Sequence, residues 1–103
     1  TYVNAKLDLT STDVTTLYTA ASLTTGIIKS ILVSEDSGNA DTITVTITNG
    51  SDVYNLFKTK AIGANATVEL LDAPLVIGTT EIVKVTAATA NRLHVVASIL
   101  EIT

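Results

Sequence analysis

The clearest pattern in the chain is DTITVTITNGSDVYNLF, in which apolar and polar residues alternate along a predicted β-strand. Ile43, Val45 and Ile47 alternate with threonines, and a side-chain period of two places the two sets on opposite faces of the strand. Asn49-Gly50 follows, a pair that tolerates the positive φ angles of a type I′ turn. The pattern predicts a hairpin with Asn49-Gly50 at its tip and the Ile/Val/Ile face buried against a second sheet.

The N-terminal segment from Tyr2 to Leu9 also alternates, with apolar side chains at its odd-numbered positions and Tyr, Asn, Lys and Asp at the even ones. The polar run from Thr10 to Thr16 is typical of a loop, because Ser, Thr and Asp side chains form local hydrogen bonds with the backbone. Residues 1–12 are therefore interpreted as an amphipathic strand, an N-terminal arm or a strand exchanged with a neighbouring copy.

The segment GIIKSILVSE is apolar on both sides of a predicted strand, interrupted by one lysine. By alternation, Ile27, Ile31 and Val33 are expected to oppose Ile28 and Leu32. A strand with two apolar faces is typical of a central position, covered on more than one side.

Two further features are expected near the C-terminus. Pro74 cannot donate a ladder hydrogen bond, so it is predicted to open a strand or to lie at a sheet edge. The segments from Glu81 to Ala88 and from Arg92 to Ile102 are predicted to pair as the last hairpin, joined through Thr89-Ala90-Asn91.

These segments amount to about eight short strands separated by turns, a pattern typical of an antiparallel β-sandwich or jelly roll with essentially no helix. The composition agrees with this class, because Val, Ile, Thr and Leu are abundant, aromatic residues make up 4% of the chain and Trp is absent. A chain of 103 residues with 47% hydrophobic residues can fill one core. Residues 1–103 are therefore predicted to form a single all-β domain.

The charge and the cysteine content exclude several classes of protein. A net charge of −4 with six Lys and Arg residues disfavours nucleic acid as a partner, because binding phosphates requires clustered cations. The absence of Cys excludes a disulfide-stapled scaffold. No apolar run is long enough to span a bilayer and the N-terminus lacks a signal-peptide pattern, so we expect a soluble protein made in the cytoplasm, with no membrane partner.

Residues for catalysis are scarce. The chain has one His and no Cys, and neither G-x-S-x-G nor H-E-x-x-H occurs in it. His94 is interpreted as a half-exposed strand histidine, because a general base needs partners that the sequence does not show. The sequence predicts a protein that is not an enzyme, with no catalytic residues, no cofactor and no metal ligands.

One loop concentrates oxygen donors of the kind that Ca²⁺ prefers. Glu35, Asp36, Asn39 and Asp41 surround Gly38, but their spacing does not match an EF-hand. A solvated turn with its acids facing water is the favoured interpretation, and calcium binding in this loop is left open.

Three stretches resemble a family of small virion proteins of tailed bacteriophages. The first is LYTAASLTTGIIKSILV at residues 17–33, which is similar to a short segment before a turn in that family and to the central strand that follows the turn. The others are ANATVELLDAP at residues 64–74 and ANRLHVVASILEI at residues 90–102, which resemble a mid-chain strand and the closing strand. Together they cover more than half of the chain, and the motifs are structural.

The resemblance implies a β-sandwich subunit of the virion that is generally oligomeric, and it supplies no site residues. The expected role is a capsid decoration or accessory protein, with a neck or tail fibre component as the alternative within the same particle. A carbohydrate-binding β-sandwich is the alternative of another class, although such modules usually present exposed Trp or Tyr. The expected partners are further copies of the chain, with a trimer as one assembly left open, and virion proteins such as the major capsid protein. Few charged side chains lie in the predicted strands to discourage pairing between strand edges, which also favours self-association.

Overall fold

A computed structural model describes residues 1–103 and contains nine β-strands and no helix. The strands are β1 (Tyr2–Asp8), β2 (Thr15–Thr19), β3 (Thr25–Glu35), β4 (Asp41–Asn49), β5 (Asp52–Ile62), β6 (Thr67–Glu69), β7 (Leu75–Ile77), β8 (Ile82–Ala87) and β9 (Leu93–Ile102). The structure contains no helix with the length and the apolar character needed to cross a membrane.

The strands form two antiparallel sheets. Sheet I has the order β1-β9-β3, followed by β6 and β7, which pair with different parts of β3. Sheet II has the order β2-β8-β4-β5. Because β6 and β7 share one strand position, each sheet has four positions, and every connection except β4–β5 and β6–β7 crosses between the sheets. This is a jelly-roll-like β-sandwich, and the predicted fold class is confirmed.

One hydrophobic core lies between the sheets and holds them together without disulfides. Ile43 and Val45 of the predicted hairpin are fully buried, and Ile47 is half-buried against the same core. The largest fully buried side chains are Ile28, Ile31, Ile43, Ile62, Ile77, Leu93, Ile99, Val33, Val45, Val83, Val85 and Val95. β-branched residues dominate this set, and such side chains pack well between pleated sheets that face each other.

The prediction that the last two strands form a hairpin is wrong. β8 lies in sheet II between β2 and β4, whereas β9 lies in sheet I between β1 and β3. The connection 88–92 crosses from one sheet to the other, and the Asn91 N–H donates to the Leu9 carbonyl at 2.9 Å. Alternation indicates which face of a strand is buried, but it carries no information about which strand lies beside it.

β3 is central in sheet I, as predicted, but its faces differ from the prediction. A β-bulge just after Ile28 shifts its register with β9. Ile28, Ile31 and Val33 therefore all face the core, while Ile27 and Leu32 lie on the outer face of the sheet. Only one face of β3 is covered, and its second set of apolar side chains remains partly accessible to solvent.

The hairpin between β4 and β5 is confirmed, but its turn lies one residue later than predicted. Asn49 pairs with Asp52, so the two-residue loop is Gly50-Ser51 and not Asn49-Gly50. Gly50 has a φ of +63°, and Ser51 is not among the residues with positive φ. Positive φ at the first loop position alone is the pattern of a type II′ turn, not the expected type I′.

Replacing Gly50 by valine is expected to lower the free energy of unfolding by about 1 kcal/mol, because a β-branched residue resists positive φ. A Cβ at this position would have no heavy atom within 4 Å, so the cost comes from the backbone alone. Gly50→Asn is the matched control, since Asn tolerates positive φ. Urea denaturation of the three proteins tests this, and equal stability of the Val and Asn variants would contradict the turn assignment.

The N-terminal segment lies in the sandwich of its own chain. β1 pairs with β9 from Tyr2 opposite Leu100 to Asp8 opposite His94, and it forms one edge of sheet I. Its odd-numbered side chains pack on the core and its even-numbered ones are exposed, as the alternation predicts. Exchange of residues 1–12 with a second copy stays a prediction, and it would replace this same pairing.

A carboxylate fills the gap between β6 and β7 at the other edge of sheet I. Glu69 accepts hydrogen bonds from the Ile31 N–H at 2.8 Å, from the Leu71 N–H at 3.2 Å and from the Ser30 hydroxyl. Burial raises the pKa of Glu69, but these hydrogen bonds outweigh burial and lower the pKa below its ordinary value. Pro74 directly precedes β7 at this edge, as predicted.

Candidate functional site

His94 lies on the outer face of sheet I between two carboxylates. Its Nε2 is 3.2 Å from Asp8 Oδ1, and its Nδ1 is 3.4 Å from Asp36 Oδ2. The imidazole is 44% exposed, so the interpretation as a half-exposed strand histidine is confirmed. The carboxylate partners were not predicted, because β1 and the loop after β3 are distant from His94 in the sequence and only the fold brings them together.

The carboxylates of Asp8 and Asp36 flank the two imidazole nitrogens of His94, and this arrangement does not form a nucleophile–base pair. Ser34 lies directly across from His94 on β3, but its Oγ accepts from the Thr67 hydroxyl at 3.3 Å. Both imidazole nitrogens face carboxylates, so neither is positioned to take a proton from Ser34. The two carboxylates orient the imidazole, and no hydroxyl group is placed to transfer a proton to it.

Glu35 is buried, contrary to the prediction that the acids of the loop at residues 35–41 face solvent. Its side chain is 2% exposed. The carboxylate accepts from the N–H groups of Ser37 at 2.8 Å, Gly38 at 3.0 Å and Asn65 at 3.0 Å, and from the Ser37 hydroxyl. Glu35 therefore organises its own loop and ties that loop to the turn before β6.

These hydrogen bonds decide the protonation of Glu35. Burial raises the pKa of its carboxyl group, but the hydrogen bonds from Ser37, Asn65 and Gly38 outweigh burial and lower the pKa to about 2. The ionised carboxylate is the form that satisfies the surrounding N–H donors.

The other oxygen donors of this loop point in different directions. Asp41 is buried and accepts from the Thr89 N–H at 3.1 Å, while Asp36 contacts His94. No group of three or more His, Cys, Asp or Glu side chains is arranged to hold a metal ion. The structure assigns these carboxylates to contacts within the chain.

Acid should destabilise the protein through Glu35. Because its pKa in the folded state lies below the ordinary 4.5, its contribution to stability is complete above that pH and is lost as the pH falls toward about 2. Melting temperatures measured across this pH window should fall steeply for the unaltered chain and less steeply for Glu35→Gln. Glu69, whose pKa is also lowered, should retain part of the slope.

Asp13→Asn serves as the control, because it removes an exposed carboxylate in a loop. It should leave the pH dependence unchanged. Equal slopes for Glu35→Gln and the unaltered chain would contradict the role assigned to Glu35.

Two shallow concavities of about 360 Å³ each lie on the surface. One is formed between β1 and β9 beside His94, and is lined by Lys6, Leu7, Asp8, His94, Val95 and Val96. The other has mostly small side chains, and its lining residues are Ala40, Asp41, Thr42, Ala61, Ile62, Gly63 and Ala88. Neither presents a set of free, convergent polar groups of the kind that fixes a small ligand.

The outer face of sheet I carries a continuous apolar row across all four strand positions. Strand pairing aligns Tyr2 with Leu100, Leu100 with Ile27, and Ile27 with Val76. Tyr2 is 75% exposed and Val76 is 59% exposed, while the two central side chains are half-buried. These four residues are called the apolar row. Contiguous exposed apolar side chains of this kind mark contact surfaces.

Three further rows follow the apolar row along the same face, and the first of them contains Asn4, Ser98 and Ser30. The second of these rows is called the mixed row, and its aligned residues are Lys6, Val96, Leu32 and Glu69. Asp8, His94, Ser34 and Thr67 form the row beyond it, called the histidine row. The mixed row has a cation at the β1 edge of the sheet and an anion at the β6 edge.

Comparisons of the chain with protein-family models, with curated proteins and with solved structures found no match. His94 and Glu35 are held in internal contacts, and the outer face of sheet I carries a continuous row of apolar side chains.

Proposed function

We propose that this protein is a non-enzymatic structural subunit of a bacteriophage virion, serving as a capsid decoration or accessory protein. The resemblance of residues 17–33, 64–74 and 90–102 to small virion proteins of tailed bacteriophages supports this role. The observation that carries the proposal is the apolar row, which offers a flat contact surface on a rigid sheet where an enzyme would have a cleft.

The chemistry of the remaining residues supports a structural role. His94 is occupied by two carboxylates, and Glu35 is occupied by backbone N–H groups of its own loop. Side chains committed in this way stabilise the fold and leave no free nucleophile or base in a pocket.

The fold supports the same role. One β-branched core holds the sandwich together without disulfides, which suits a durable particle component. Its partners are further copies of itself and virion proteins such as the major capsid protein. Fold alone does not fix function, so the proposal depends on the surface and the resemblance together.

Rebinding to particles tests the proposal. Capsids assembled without this chain are mixed with the purified protein and sedimented, and binding should saturate at a fixed number of copies per capsid. A β-sandwich protein of unrelated sequence and similar charge is the control. Lack of binding to capsids, or binding that free sugars abolish, would contradict the decoration role, and the second result would favour the carbohydrate-binding alternative.

A further inference from the structure

We propose that two copies of this chain pack through the outer faces of their sheets I. The two-fold axis lies in the interface, parallel to the strands and between β9 and β3. This inference rests on the proposed structural role and deepens it, because it names the surface used for self-association and identifies its occupant as a second copy. The order of the four rows on this face supports the arrangement.

Apolar side chains meet apolar side chains in this arrangement. A two-fold axis parallel to the strands exchanges the two edges of the sheet and leaves each row at its own height. Tyr2 then contacts Val76 of the second copy, and Leu100 contacts Ile27 of the second copy. The exposed parts of the apolar row are thus removed from water at both ends of the row.

Charges of opposite sign meet in the mixed row. Lys6 lies at the β1 edge and Glu69 at the β6 edge of the same row, so the exchange of edges places Lys6 over Glu69 of the second copy, twice per dimer. Between these pairs, Val96 contacts Leu32 of the second copy. Complementary charges at the two ends of a row fix the register of the two sheets.

The histidine row is compatible with the same axis. Asp8 then lies over Thr67 of the second copy, and His94 lies over Ser34, so carboxylates do not meet. A two-fold axis running across the strands would instead place the apolar row over the histidine row, and it would bury charged groups against apolar side chains without partners. Lys29, exposed at the bulge of β3, lies within the face for either axis, so the other charged groups decide between them, and they favour the axis parallel to the strands.

The area of the face is sufficient for a dimer of modest affinity. Four strand positions spaced about 4.8 Å apart, with up to about ten residues at about 3.3 Å each, give a face on the order of 600 Å². Two such faces bury on the order of 1,200 Å², at the lower end of specific interfaces. We expect dissociation in the micromolar range.

Sedimentation velocity of the full chain from about 1 to 200 µM brackets the expected affinity. Val76→Asp should raise the dimer dissociation constant at least about tenfold, because it buries a carboxylate in the apolar row. Val53→Asp is the matched control, since Val53 is 60% exposed and lies on edge strand β5 of sheet II. It should leave the dissociation constant within about twofold.

A second pair of variants tests the charges. Lys6→Glu places a carboxylate over Glu69 of the second copy and should also weaken the dimer about tenfold. Lys58→Glu makes the same change in net charge on sheet II and should have no effect. Thermal melting establishes that each variant is folded before its dissociation constant is interpreted.

Several outcomes would overturn the inference. These are a monomer at the highest concentration, a dimer that is insensitive to both Val76→Asp and Lys6→Glu, equal sensitivity to the sheet II controls, and a trimer in place of the dimer. A monomeric protein that still saturates capsids would contradict this interface and leave the proposed function intact. A dimer that fails to bind capsids would contradict the proposed function and leave this interface intact.

Discussion

Replacing Gly26 by alanine is expected to lower the free energy of unfolding by about 2–4 kcal/mol, through overpacking and a lost hydrogen bond. A Cβ on Gly26 would lie 2.6 Å from Cε2 and 2.7 Å from the hydroxyl oxygen of Tyr18. These distances are too short for any side chain, so the tyrosine ring would have to move. The backbone of Gly26 does not have positive φ, so the cost arises from the ring and not from the backbone.

Tyr18 has little freedom to move, because it ties the two sheets together. It lies on β2 in sheet II, and its hydroxyl donates to Glu101 Oε2 at 2.7 Å on β9 in sheet I. Burial, together with the hydrogen bond and the negative charge of Glu101, raises the pKa of Tyr18 to about 12. Displacing the ring would break this contact and disturb the core around it.

A double-mutant cycle in urea separates this contact from other effects. Gly26→Ala should cost much less in a Tyr18→Leu background, in which the ring is absent. Gly63→Ala is the control, since its Cβ would make an ordinary contact of 3.7 Å with the Ala66 side chain. Equal costs of Gly26→Ala in both backgrounds would show that the ring is not the cause.

Replacing Thr48 by valine is expected to raise the free energy of unfolding by about 1–2 kcal/mol, because it removes a buried hydroxyl that has no hydrogen-bond partner. Thr48 is paired with Ile82 on β8 and with Val53 on β5, both apolar. Valine has nearly the same shape and keeps the β-branched side chain that favours a strand. The substitution therefore completes an apolar row in sheet II.

Thr46→Val is the matched control for Thr48→Val. Thr46 lies on the same strand and is half-buried, but its neighbours across the sheet are Lys84 and Asn55. We expect a change within about 0.5 kcal/mol for this variant. Chemical denaturation compares the two, and a loss of stability for Thr48→Val would indicate that the hydroxyl has a hydrogen-bond partner after all.

Local patterns predict much of the fold. The alternation of β1 assigns its faces correctly, and Gly50 lies in the turn between β4 and β5. Pro74 stands at the start of an edge strand, where its missing N–H is tolerated. These features depend on a residue and its immediate neighbours, which is the information that a single sequence contains.

Features that depend on pairing could not be predicted in this way. The bulge after Ile28 places Ile31 on the core face, and no local signal marks it. The sequence around Glu35 is typical of a solvated loop. Its burial could not be predicted, because one of its N–H donors is Asn65, which is distant in the sequence. The apolar row escaped prediction for the same reason, since its four members come from four strands and align only through register.

Quantitative mass spectrometry of purified particles is the most direct test of the proposed role as a structural component of a phage particle. Particles are isolated from cells in which the chain is expressed, and its copy number is measured relative to the major capsid protein. We expect the chain to copurify with particles at a fixed ratio that survives repeated density-gradient purification. Abundant protein in the cell lysate together with none in the purified particles would contradict the proposed role.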